Sequence, residues 1–109
     1  ETTRAISEKL QLKKDTFITS FQSRLGRSPW IKPYTDLVLP EIAQKGFKRI
    51  AVICPAFVAD CLETLEEIQI RAKEQWISLG GEDLKLVPSL NSNPYWSKVV
   101  ANMIQDASK

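Results

Sequence analysis

The stretch from Arg49 to Pro88 most constrains what this chain can fold into. A short apolar run, RIAVIC (Arg49 to Cys54), leads into CPAFVADCLETLEEIQI (Cys54 to Ile70). The pattern there predicts a helix over residues 60–79, stopped by Gly80 and Gly81. A second run, DLKLVP (Asp83 to Pro88), follows at once. Strand, helix and strand in that order imply a parallel sheet with a right-handed crossover. RIAVICP is apolar on both faces, as in a central strand covered by helices on both sides. Ligands in open α/β sheets sit beyond the carboxyl ends of the strands, so Pro55 to Cys61 lies where a site is expected.

The rest of the chain extends the alternation. Residues 2–11 read as a helix with Ala5, Ile6 and Leu10 on one side. FITSFQS (Phe17 to Ser23), rich in β-branched and aromatic residues, predicts a strand. RLGRSPWIKPY (Arg24 to Tyr34) reads as a loop. A helix follows, with Thr35 as candidate cap and Gly46 as stop; Pro40 delays its regular part to near Leu39. NSNPYW opens a last helix, capped by Asn93, with Pro94 first, running to about Asp106. The expected fold class is α/β, with the order α-β-α-β-α-β-α and at least three parallel strands. Three is few for such a sheet, and ETTRAISEKLQL opens inside a helix without Met. Both features predict a piece of something longer.

Composition excludes several classes. At 109 residues the chain is one domain at most. Fifteen Lys and Arg against thirteen Asp and Glu make no nucleic-acid footprint. No apolar run approaches the ~18 residues that span a bilayer, and no signal peptide is expected. Two cysteines, Cys54 and Cys61, cannot make a four-cysteine zinc or iron–sulfur site, and a reducing cytoplasm is expected. There is no histidine, which removes the commonest general base and metal ligand.

The remaining chemistry is carboxylate. At ~100° per residue, Asp60, Glu63 and Glu67 share one helix face. Leu62, Leu65, Ile68, Ala72, Trp76 and Leu79 gather opposite them. Such a ridge is what any solvated face carries, and Asp60 with Glu63 has the spacing of a capping box. If the ridge instead lines a cleft, its carboxylates can bind a cation, relay protons or act as base. Other residues divide the same way. Trp30 is a loop anchor or an aromatic wall, and Phe57 is core or contact. Arg24 and Arg27 are loose surface charge or anion contacts. Cys61 is an inert thiol or a soft ligand.

Longer motifs narrow these alternatives. SFQSRLGRSPWIKPYTD (Ser20 to Asp36) resembles the FQSR-x-G-x-x-x-W-x-x-P-x-T-D segment of ferrochelatases. CPAFVADCLETLEEI (Cys54 to Ile68) resembles their P-x-F-x-x-D-[CH]-[LI]-E-T-L-x-E segment. LGG followed by LNSNPYW resembles the closing G-G and S/C-L-N-x-x-P. Ala56 stands where Gly is frequent, and Pro40 departs from the usual helix pattern away from the site.

The resemblance implies a chelatase-like three-layer sandwich, a parallel sheet with helices on both faces, of which residues 1–109 are most of the C-terminal half-domain. The N-terminal half and the first strand of this half, which presents the family's active-site histidine, would be absent. It implies insertion of ferrous iron into protoporphyrin IX or coproporphyrin, with iron as substrate. No tightly bound cofactor and no iron–sulfur cluster are expected. Glu63 stands on the active-site glutamate. Glu67 and Asp60 stand on further acids of a helix that is locally π-bulged in the family. Glu63 would face the metal, with Asp60 and Cys61 as further candidates. Ser23, Leu25, Trp30 and Phe57 stand on porphyrin-lining positions. A proton acceptor of raised pKa is implied. The Cys in DCLETLEE suggests a bacterial, cytoplasmic protein with peripheral membrane contact through its apolar substrate. A truncated sheet implies self-association. Two further readings stand beside this one: a chelatase inserting cobalt or nickel into another tetrapyrrole, and a non-catalytic α/β module.

Overall fold

The structure, a computed structural model, describes residues 2–22 and 33–107. Helix α1 is Thr2–Lys9, and a short 3-10 turn, Lys14–Thr16, follows. Helix α2 is Thr35–Gln44, strand β1 Arg49–Val52 and strand β2 Asp83–Leu86. Between the strands runs one long helix, made of an α-helical turn Leu62–Thr64, a π-helical stretch Leu65–Ala72 and an α-helical end Lys73–Ser78. The last helix is Pro94–Ala107. The strands pair in parallel, Arg49 opposite Asp83 through Val52 opposite Leu86. The expected strand–helix–strand unit is therefore present.

Among the described residues the sheet has two strands, not three. Over Phe17 to Gln22, where a strand is expected as far as Ser23, there is a single parallel bridge between Phe21 and Tyr34; Ser23 lies outside the described residues. The Phe21 N–H donates to the Pro33 carbonyl (2.8 Å), and the Thr35 N–H donates to the Phe21 carbonyl (2.9 Å). Beyond this bridge the partner turns into α2 at Thr35, so the pairing cannot continue past Gln22. β-Branched composition describes fit to a pleated surface and cannot supply that partner.

Buried Leu39, Ile68, Ala72, Trp76 and Leu84 form the core, with Ile50, Val52, Cys54 and Leu86 packed against it. One face of β1 is thus covered. On the other, Arg49 and Ala51 are exposed and Ile53 is 52% exposed.

α2 begins at Thr35 and not near Leu39, with Tyr34 rather than Thr35 in the cap position. Pro40 does not delay it. Its missing N–H would have paired with the Asp36 carbonyl four residues back. That oxygen instead accepts from Gln75 Nε2 on the long helix (2.7 Å). Gly46 ends α2 with φ +92°, in the left-handed region open to glycine.

The long helix begins at Leu62, two residues later than expected, and its apolar face differs from the regular-helix projection. Leu62 is 75% and Leu65 44% exposed. The inward row is Thr64, Ile68, Ala72 and Trp76, spaced by four. In an α-helix residues four apart drift by ~40°. A π turn bonds i to i+5 and holds more residues per turn, so it cancels that drift and keeps the row on the core. The helix closes with the Gly81 N–H donating to the Trp76 carbonyl and the Gly80 N–H to that of Ile77, a Schellman pattern with Gly80 at φ +93°. A Cβ on Gly81 would strike the Trp76 indole, so both glycines are required.

The last helix matches its expectation. Asn93 Oδ1 accepts from the Tyr95 N–H (2.9 Å) and the Trp96 N–H (3.3 Å), and Pro94 leads. None of the described helices is long and apolar enough to cross a membrane.

Candidate active site

The loop after β1 and the loop after β2 meet at the carboxyl ends of the strands, and Asp60 joins them. Its carboxylate accepts from Thr64 Oγ1 (3.0 Å), from Asn91 Nδ2 (2.9 Å) and, more weakly, from the Ser89 N–H (3.3 Å). The Asp60 N–H donates to Asn91 Oδ1 (2.8 Å), and the Asn91 N–H to the Val58 carbonyl (2.8 Å). Asn91 sits at φ +51°, a conformation asparagine tolerates better than most residues. The Asn91 amide, then Ser89 and Thr64, hold the Asp60 carboxyl below the usual carboxylate range. Asp60 is thereby a charged staple between two loops.

The capping box expected from Asp60 and Glu63 does not form. The Cys61 N–H donates to Thr64 Oγ1 (3.0 Å), so Thr64 closes the first turn. Glu63 has no part in this closure. Its carboxyl lies below the usual range, held first by a hydrogen bond from the Cys61 side chain and then by one from its own N–H. The raised pKa expected of a proton acceptor is therefore absent: Glu63 is half-exposed and in polar company, and hydrogen bonds outweigh burial.

Glu67 stands one turn beyond Glu63 on the same row, and Gln22 ties the two. Gln22 Nε2 donates to the Glu63 carbonyl (2.6 Å) and to Glu67 Oε2 (3.1 Å). Cys54, at the end of β1, donates its thiol to Gln22 Oε1 (Sγ to Oε1, 3.7 Å). Burial, then the charges of Asp60, Cys61 and Glu67, push the Cys54 thiol up, which keeps it protonated and able to donate. Cys54 and Cys61 are both free. Glu66 turns aside to a bidentate pair with Arg71 (2.6 and 2.7 Å).

The structure thus brings Asp60, Cys61, Glu63 and Glu67 to one end of the sheet. Phe57 is half-buried in the same loop, its N–H donating to the Cys54 carbonyl (3.1 Å). Ser23, Leu25 and Trp30, with Arg24 and Arg27, lie outside the described residues. No group of three His, Cys, Asp or Glu among the described residues forms a metal cluster. Three contributors were missed from sequence: Gln22, Thr64 and Asn91. Each lies inside a quoted motif, but the spacing of uncharged polar residues carries no periodic signal.

A ferrochelatase family model matches residues 1–108. The chain belongs to the ferrochelatase family. It is 56% identical over 103 residues to the ferrochelatase of Coxiella burnetii (strain Dugway 5J108-111), covering 94% of this chain and 29% of that protein. It is 53% identical over 106 residues to the ferrochelatase of Legionella pneumophila (strain Lens), covering 97% of this chain and 32% of that protein. The chain therefore spans about three-tenths of the length of the curated relatives it matches. The π stretch Leu65–Ala72 agrees with the locally π-bulged helix that the resemblance to ferrochelatases implied.

Proposed function

We propose that this chain is most of the C-terminal half of a full-length ferrochelatase, an enzyme inserting ferrous iron into protoporphyrin IX or coproporphyrin to form haem. The observation that carries the reading is the family match over residues 1–108. In this reading the sheet gains further strands and a second helical layer from the remainder of the enzyme, giving the three-layer sandwich. The two remaining sequence readings, another chelatase and a non-catalytic module, have no comparable support.

Iron enters as two pyrrole protons leave, and those protons need acceptors. Glu63 and Glu67 take that role, with Glu63 facing the metal. An ionised Glu63 is ready to accept at neutral pH. Asp60 stays structural because Thr64, Ser89 and Asn91 already occupy its oxygens. Cys61, two residues before Glu63, is a further candidate ligand for the metal. Phe57, Ser23, Leu25 and Trp30 contact the porphyrin. The reaction needs no bound cofactor or iron–sulfur cluster, and the setting is the bacterial cytoplasm, with peripheral membrane contact through the apolar porphyrin. The missing half leaves surfaces through which the isolated chain self-associates.

The test is zinc or iron insertion into a porphyrin, followed by absorbance. The full-length enzyme turns over and the 109-residue chain does not, because one wall cannot assemble the site. A full-length protein without insertion activity overturns the reading.

A further inference from the structure

Gln22 makes more specific bonds near the candidate site than any role given to it so far explains. Its position is fixed before its side chain is considered. The bridge at Phe21 pins the preceding residue on both main-chain sides, and Ser20 Oγ lies 2.8 Å from Thr35 Oγ1. The side chain then spans from this anchor to two other elements. Its amide nitrogen meets two acceptors on the long helix, and its amide oxygen meets one donor at the end of β1. Reversing the amide would set oxygen against oxygen at Glu63 and Glu67 and leave the Cys54 thiol without an acceptor. All three partners therefore select one orientation.

The two acceptors differ in kind. One is the main chain of Glu63, where the helix is about to widen into its π stretch, and the other is the carboxylate of Glu67. One planar amide thus sets the backbone height of one glutamate and the rotamer of the next. A charge-assisted bond to a carboxylate is stronger than a neutral one, and the fork of the NH₂ adds direction.

We propose that Gln22 is a positioning residue for metal insertion, fixing the Glu63–Glu67 turn against the carboxyl end of β1. The inference rests on the functional reading above. Gln22 does not touch the reacting atoms; it acts through the two glutamates.

The experiment uses the full-length enzyme with Gln22→Met, of similar length but without donors, and Gln22→Glu, of the same shape but with acceptors only. Insertion of zinc into the porphyrin is measured by absorbance, and amide exchange is followed along the long helix. We expect kcat to fall on the order of 10- to 100-fold in Gln22→Met, the scale of a small misplacement of reacting groups, with the porphyrin KM unchanged. Gln22→Glu should lose at least as much, since its carboxylate faces the Glu63 carbonyl and Glu67 Oε2. Exchange should quicken at residues 63–67 and stay unchanged at 73–81. Wild-type kcat in both variants overturns the inference. So does a raised porphyrin KM at unchanged kcat, or exchange that quickens equally at 73–81, which marks general loosening. Those results leave the functional reading standing, because the unmodified enzyme still turns over. An inactive unmodified enzyme overturns the functional reading and this inference together.

Discussion

The two ends of the long helix are held by different physics. At the C-terminal end, Trp76 is fully buried, its Nε1 donates to the Lys48 carbonyl (3.1 Å), and Gly80 and Gly81 close the turn against its ring. Packing dominates that end, with the polar bonds of Trp76 and Gln75 set around it. At the N-terminal end, Leu62 and Leu65 point outward, and position is set by Thr64, Asp60, Asn91 and Gln22. Hydrogen bonds decide that end. A packed end resists change in volume. A bonded end resists change in polar chemistry, and it keeps carboxylates ionised where an apolar surrounding would neutralise them.

Three substitutions and one control test this contrast, beginning with the strongest. Trp76→Ala should cost about 3–5 kcal/mol, the range for emptying a large aromatic site, read from the urea denaturation curve. A loss no larger than that of a surface substitution would mean the C-terminal end is not held by packing. Glu63→Gln in the full-length enzyme should lower metal insertion by at least ~100-fold, the scale of losing a general base. Its denaturation midpoint should barely move, because Thr64 rather than Glu63 closes the first turn. Glu66→Gln, whose partner is Arg71, should leave insertion unchanged. A Glu63→Gln enzyme that inserts iron normally removes Glu63 from the site.

The smallest effect concerns acid. The Asp60 carboxyl is held low in the folded chain, so its contribution to stability is complete above its ordinary pKa, near ~4. It is lost as pH falls below that value, through the folded pKa. Asp60→Asn should therefore be less stable than the parent at neutral pH, with the gap narrowing below pH ~4. Glu63 and Glu66 are also held low and keep part of the acid sensitivity, so the acid limb flattens without vanishing. A gap that stays constant down the acid limb would mean Asp60 carries no such charge contribution.

The same contrast explains what could be read in the sequence. The packed end was legible: Gly80–Gly81, Ile68, Ala72 and Trp76 follow from apolar spacing and a glycine stop. So was the Asn93 and Pro94 start of the last helix. The bonded end was not. A wheel at constant pitch placed Leu62 and Leu65 inside, because nothing in a hydropathy pattern announces a π stretch. A local rule pairs Asp60 with Glu63 in a capping box, whereas the Asp60 N–H is satisfied by Asn91, 31 residues away. The strand expected from Phe17 is likewise reduced to one bridge among the described residues, since its pairing is non-local. The π stretch itself was legible only through the resemblance to ferrochelatases.

The π stretch Leu65–Ala72 also works as a phase coupler along one rod. Forcing the same residues into a uniform α-helical pitch would turn Trp76 away from Thr64 by ~120°. Trp76 could then stay in the core only if Glu63 and Glu67 swung away from Gln22, or the reverse. The pitch of this segment, as much as its residues, lets one helix serve a core at one end and chemistry at the other.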